Sequence, residues 1–123
     1  MKLRIRGNSI RIRVTKTEIA NFGKHGFLEE TTAFGGALSF GYSLRKKAGI
    51  DKLEAAYADN SITVFVPEKI VNEWTTTDIV GFENNMDLGN SKQLFLLIEK
   101  DFVCLDHSFE DQSDNFPNPN AIC

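Results

Sequence analysis

The run Lys2-Leu3-Arg4-Ile5-Arg6-Gly7-Asn8-Ser9-Ile10-Arg11-Ile12-Arg13-Val14 reads as two strands and a turn. Leu3 and Ile5 alternate with Lys2, Arg4 and Arg6, and Ile10, Ile12 and Val14 alternate with Arg11 and Arg13, so each stretch has one apolar and one cationic face. Gly7-Asn8-Ser9 supplies the reversal that makes a hairpin. Pairing that brings the aliphatic side chains together gathers the guanidiniums of Arg4, Arg6, Arg11 and Arg13 on the other face.

Working outward, Thr15-Lys16-Thr17-Glu18 has the spacing of a capping box, with Val14 and Ile19 at the hydrophobic-staple positions, so a short helix starts here. Gly23 is placed to stop it. β texture returns at Phe27. Gly35-Gly36 allows a bend or bulge before Leu38, Phe40, Tyr42 and Leu44, which alternate with small residues. Arg45 to Ile50 reads as a solvated turn. Leu53, Ala55 and Tyr57 alternate again, Asp59-Asn60-Ser61 reverses the chain, and Ile62 to Val66 is a β-branched strand. Pro67 suits a first helical turn, and Ile70, Val71 and Trp74 form an apolar helical stripe. Ile79 to Glu83 and Gln93 to Leu105 read as strands separated by a loop over Asn84 to Lys92.

With no βαβ rhythm, the expected fold class is α+β: one largely antiparallel sheet of about seven strands, open or curled into a partial barrel, with two short helices and an extended C-terminal tail. No repeat of the solenoid kind is visible. The expected organisation is an α+β domain over residues 1–105, with an acidic, proline-containing tail over 106–123 packed on it.

At 123 residues, with 41% hydrophobic and 25% charged residues, the chain suits a single domain with one core. The charged start lacks the apolar stretch of a secretory signal. The longest apolar run, Leu94 to Ile98, is far below the roughly 20 residues that cross a bilayer, so no membrane association is expected. Two cysteines make no disulfide framework, and a cytoplasmic location fits. The net charge of −3 hides a division: residues 1–52 carry eleven Lys/Arg against four Asp/Glu, and residues 53–123 carry three against thirteen. Either the halves present opposite surfaces or they interleave and neutralise.

The terminal strings Met1-Lys2-Leu3-Arg4-Ile5-Arg6-Gly7-Asn8-Ser9-Ile10-Arg11-Ile12-Arg13 and Glu99-Lys100-Asp101-Phe102-Val103-Cys104-Leu105, with Glu110-Asp111 and Asp114-Asn115-Phe116-Pro117-Asn118-Pro119, are similar to a family of small uncharacterised bacterial proteins. The resemblance spans nearly the whole chain. It implies a bacterial cytoplasmic origin and a tail that belongs to the domain; the tail's own apolar residues Phe109, Phe116 and Ile122 are placed to strap it down. It brings no assigned activity and no catalytic residues.

Three constellations have chemical potential. Arg4, Arg6, Arg11 and Arg13 suit bidentate grip of a phosphate or carboxylate, because clustered guanidiniums require counter-anions; a solvated face or pairing with the protein's own acids is the alternative. Nucleic acid is disfavoured by the acidic half and by the lack of an RNP-type aromatic motif. Glu99, Asp101, Asp111 and Asp114, with Glu110, offer hard oxygen ligands to Mg²⁺ or Mn²⁺. Cys104, His107 and Cys123 are the zinc alternative. His25 is a lone loop histidine, and no P-loop, nucleophile elbow or H-E-x-x-H occurs. The expectation is therefore a cytoplasmic binding domain without a cofactor, holding a small anion or a protein partner. A divalent-metal-dependent enzyme acting on a phosphorylated small molecule is the second reading.

Overall fold

The computed structural model describes residues 1–102 and 113–117 of the chain. Its elements are β1 (Lys2–Ile5), β2 (Ser9–Val14), α1 (Lys16–His25), β3 (Phe27–Gly35), β4 (Leu38–Lys47), β5 (Glu54–Ala58), β6 (Ser61–Pro67), α2 (Glu68–Thr76), β7 (Gly81–Gly89) and β8 (Lys92–Lys100). The expected single sheet of about seven strands is overturned. The eight described strands form two four-stranded sheets, ordered β1-β2-β8-β7 and β3-β4-β6-β5, and neither closes into a barrel. Each sheet is two antiparallel hairpins joined through a parallel central pair, β2 with β8 and β4 with β6. Those parallel contacts join strands remote in sequence, so local hairpin signals do not reveal them.

The amino-terminal hairpin forms as its alternation dictates. Leu3 faces Ile12 and Ile5 faces Ile10, while Lys2 faces Arg13 and Arg4 faces Arg11. Ile10, Ile12 and Val14 are buried in the core. Thr15 and Glu18 make the capping box reciprocally, the Glu18 amide donating to Thr15 Oγ1 at 3.3 Å and the Thr15 amide to Glu18 Oε1 at 2.9 Å. The helix runs past Gly23 to His25 and ends at Gly26, whose left-handed φ of 77° lets its amide close back on the Phe22 carbonyl. Gly23 serves close packing instead: a Cβ there would lie 3.0 Å from Thr75 Oγ1.

Other boundaries also move. β4 continues through Arg45 to Lys47, and most of the expected Asn84–Lys92 loop is strand, turning only at Asn90 and Ser91 with φ of 54° and 61°. Gly35 and Gly36 do form a turn next to a bulge, as their composition implies.

The chain folds as ββαββ twice, and the halves exchange hairpins: β1-β2 joins β7-β8, and β3-β4 joins β5-β6. Buried positions repeat at an offset of 52 residues through the first helix, pairing Ile10 with Ile62, Ile12 with Val64, Val14 with Val66, Ile19 with Val71, and Phe22 with Trp74. Beyond the helix the offset is 54, pairing Leu44 with Ile98 and the bulge at Ala33/Gly35 with that at Asp87/Gly89. Main-chain anchoring repeats too: Lys46 donates to the Gly26 carbonyl and Lys100 to that of Val80, each at 2.8 Å. The equivalent Phe22 and Trp74 meet edge to face, centroids 6.0 Å apart, where the helices touch. Trp74 Nε1 donates to the Val80 carbonyl at 3.0 Å, so its polar atom is satisfied inside the core.

Candidate functional site

The cationic face of β1-β2 continues onto β8, where Arg11 neighbours Leu97 and Arg13 neighbours Glu99. Glu99 Oε1 accepts from Arg11 Nε at 2.6 Å and Arg13 Nε at 2.7 Å, and Arg11 Nη2 lies 2.5 Å away. The glutamate is 16% exposed, so these charge-assisted bonds are only partly screened. Lys2 Nζ stands 3.1 Å from Asp101 Oδ2 on a buried aspartate. Two of the four arginines are thus engaged by a carboxylate of this chain.

Arg4 and Arg6 are placed differently. Both are exposed, Arg4 on the edge strand β1 and Arg6 at the turn, where it exchanges two main-chain hydrogen bonds of 3.1 Å with Ser9. Among the described residues, no carboxylate forms an ion pair with either guanidinium. The turn is pinned to β8 by Asn8, whose carbonyl accepts from the Phe95 amide at 3.1 Å and whose Nδ2 donates to the Gln93 carbonyl at 2.6 Å. The neighbouring guanidiniums therefore rise from a fixed backbone.

The expected oxygen ligands are separated in role. Glu99 and Asp101 answer the cations just named. Asp114 caps α1: its carboxylate accepts from the Thr17 amide at 3.3 Å and from the Thr17 hydroxyl at 3.1 Å, and its carbonyl accepts from the Lys16 amide at 2.9 Å. A hydrogen bond from the Thr15 side chain, aided by Thr17 and the Lys16 charge, holds the Asp114 carboxyl below the usual carboxylate range. Glu110, Asp111, Cys104, His107 and Cys123 lie outside the described residues. Among those described, no group of three or more His, Cys, Asp or Glu side chains is placed to hold a metal ion. His25 is exposed in the last turn of α1.

The chain belongs to DUF7009, a family of unknown function, which it matches over residues 1–120. Neither a curated protein nor a solved structure matches it. The family assigns no activity, so a functional reading of this DUF7009 chain rests on its own side chains. No helix among the described residues is long and apolar enough to cross a membrane.

Three features were not foreseen. Residues 113–117 strap one end of the first sheet: the Phe116 amide donates to the Asp101 carbonyl at 2.8 Å, and the Phe116 ring packs against Phe102 with centroids 5.8 Å apart. Phe116 was expected to act this way, but not its partner Lys100, which is buried, donates to the Thr77 carbonyl at 2.7 Å and lies 5.1 Å from the Phe116 ring centroid. Burial lowers the Lys100 pKa, partly offset by Asp78. Phe109 and Ile122 lie outside the described residues.

Second, the Met1 ammonium pairs with Glu18 and, at 3.4 Å, with Glu30. Tyr42 donates to Glu30 Oε2 at 2.6 Å, and that bond, with burial and the charges of Glu30 and Glu18, pushes its pKa up to about 12. Third, an open groove of about 410 Å³ lies between the helices beside Lys46.

Proposed function

We propose that this chain is a binding domain of the bacterial cytoplasm, without catalytic chemistry of its own, that holds an acidic segment of a protein partner along β1. The observation that carries this reading is the division among the arginines: Arg11 and Arg13 are committed to Glu99, while Arg4 and Arg6 stand exposed at the sheet edge. An edge strand offers unpaired main-chain N–H and C=O groups, so an extended segment can add to it. Guanidiniums beside that edge favour carboxylates on the incoming strand and repel a second copy of the same edge. Two cations facing Glu99 leave a net positive charge there, which adds to the field along the edge.

A thermal-shift screen tests the reading, using an acidic peptide of alternating Glu and Val beside nucleotides, polyphosphate and phosphosugars. Stabilisation by the peptide that disappears in the Arg4→Ala, Arg6→Ala double variant supports it. Stabilisation by small phosphates alone would replace a protein partner with a small anion. Metal-dependent turnover of a phosphosugar would overturn it.

A further inference from the structure

The sheet ordered β1-β2-β8-β7 turns one set of side chains inward, where Ile10, Ile12, Leu96 and Ile98 join the core. The alternate residues form its outer face, and the strand register sets them in rows. The central row runs Arg4, Arg11, Leu97, Glu83 from β1 across to β7. Beside it lie Lys2, Arg13, Glu99, Gly81 on one side and Arg6, Ser9, Phe95, Asn85 on the other. The face is therefore basic along β1 and β2, apolar at Phe95 and Leu97 on β8, and acidic at Glu83 and Asp87 on β7.

This pattern is not neutralised within the chain. Arg4 and Glu83 are both exposed, and among the described residues neither enters an ion pair. Three strand spacings set them about 14 Å apart, with Arg11 and Leu97 between. Phe95 and Leu97 are half-buried yet stand outside the core that takes Leu94, Leu96 and Ile98. The outer face of the second sheet differs. There Arg45 pairs with Glu29 at 3.2 Å and Lys47 with Glu54 at 3.3 Å, and the two cations lie over the rings of Phe27 and Phe65.

We propose that the outer face of the first sheet is the contact surface between two copies of this chain. The copies stack face to face about a two-fold axis that lies parallel to the strands, between β2 and β8. Such a rotation reverses the strand order and keeps each row level, so β1 of one copy lies over β7 of the other. Arg4 then meets Glu83 of the second copy, Arg11 covers its Leu97, and Arg6 approaches its Asn85 and Asp87. Each contact occurs twice. An axis across the strands would set β1 on β1 and arginine on arginine, which is repulsive. A nucleic acid or an acidic protein would satisfy the basic half of the face and oppose Glu83 and Asp87, whereas a second copy satisfies both halves. The face measures roughly 20 by 25 Å, so the pair buries about 1,000 Å², at the lower limit of a specific interface. The dimer is thus one that exchanges with monomer. This inference does not rest on the acidic segment along β1: that segment adds in the plane of the sheet, and Glu83 sits on the opposite edge strand.

Sedimentation equilibrium of the full chain tests it. The mass should rise with concentration from 13.8 kDa toward twice that value, and less so at high salt. Glu83→Arg sets like charges against each other at an exposed position and should weaken association about tenfold or more. Arg4→Glu should do the same, and the two substitutions together should restore the dimer, because the pair forms again with its polarity reversed. Glu83→Arg should still bind the acidic peptide along β1, so failure of the dimer and failure of that edge are read separately. A monomer at millimolar chain, association indifferent to Glu83→Arg, or a combined variant that stays monomeric would each overturn the proposal.

Discussion

Lys2 and Glu54 occupy equivalent positions in the two halves and carry opposite charges: Lys2 pairs with Asp101 at 3.1 Å and Glu54 with Lys47 at 3.3 Å, and Asp101 and Lys47 are themselves equivalent. The same ion pair is thus built twice with its polarity reversed. The division of charge along the chain follows the same logic. Because the halves exchange hairpins, basic β1-β2 lies beside β8 and β7 of the acidic half, and sheet formation brings Arg13 to Glu99. The halves interleave and partly neutralise, and of the four hairpin arginines Arg4 and Arg6 are left exposed.

Replacing Glu99 by Ala should cost about 2 kcal/mol, measured by urea unfolding, because it leaves Arg11 and Arg13 partly buried without their shared acceptor. Arg13→Ala should cost less, since Arg13 is 40% exposed and Arg11 retains the carboxylate. Equal costs would contradict the bridging role.

Thr15→Ala removes the hydroxyl that accepts from the Glu18 amide and should lower stability by about 1 kcal/mol. Helix α1 has this cap and α2 does not, so the loss should be seen as faster amide exchange in the first turn of α1 with none in α2. The denaturant midpoint of Thr15→Ala and its amide exchange decide it.

Asp114 gives the strap a pH dependence. Its folded pKa lies below the ordinary 3.8, so its stabilising contribution is complete above that value and is lost as pH falls through the lower folded pKa. The protection of the Lys16 and Thr17 amides, measured as exchange relative to the intrinsic rate at each pH, should therefore fall in acid. In Asp114→Asn that protection should already be lower at neutral pH and respond less to acid.

Tyr42 reports the other end of the scale. Its folded pKa of about 12 exceeds the ordinary 10, so the stabilisation from its hydrogen bond to Glu30 holds below pH 10 and is lost as pH rises through about 12. A phenolate titration in the ultraviolet should show a step near pH 12 that Tyr42→Phe removes.

Much of the local structure is legible from residue type. The alternation through Ile10, Ile12 and Val14 defines a strand, and Thr15 with Glu18 defines a helix start. Gly23 misleads because its lack of a side chain serves contact with Thr75, a tertiary fact, while Gly26 takes the left-handed cap. Asn84 to Lys92 reads as a loop because it is polar, yet Asn84 and Met86 turn inward on β7, where Asn84 Nδ2 donates to the Leu53 carbonyl at 2.9 Å. The internal duplication is hidden because only the buried positions are kept alike. On the surface Arg13 stands where the other half has Phe65, and Glu99 where it has Arg45. The arginine ladder is legible as a pattern, but its division depends on the long-range β2–β8 register, which sequence spacing does not contain.

The most direct measurement is calorimetric titration of the alternating Glu-Val peptide into the wild-type chain and into the Arg4→Ala, Arg6→Ala variant at low and high salt. The account predicts saturable binding by wild type that weakens with salt and is lost in the variant. Binding of equal strength by the variant, or none by wild type at low salt, would contradict it.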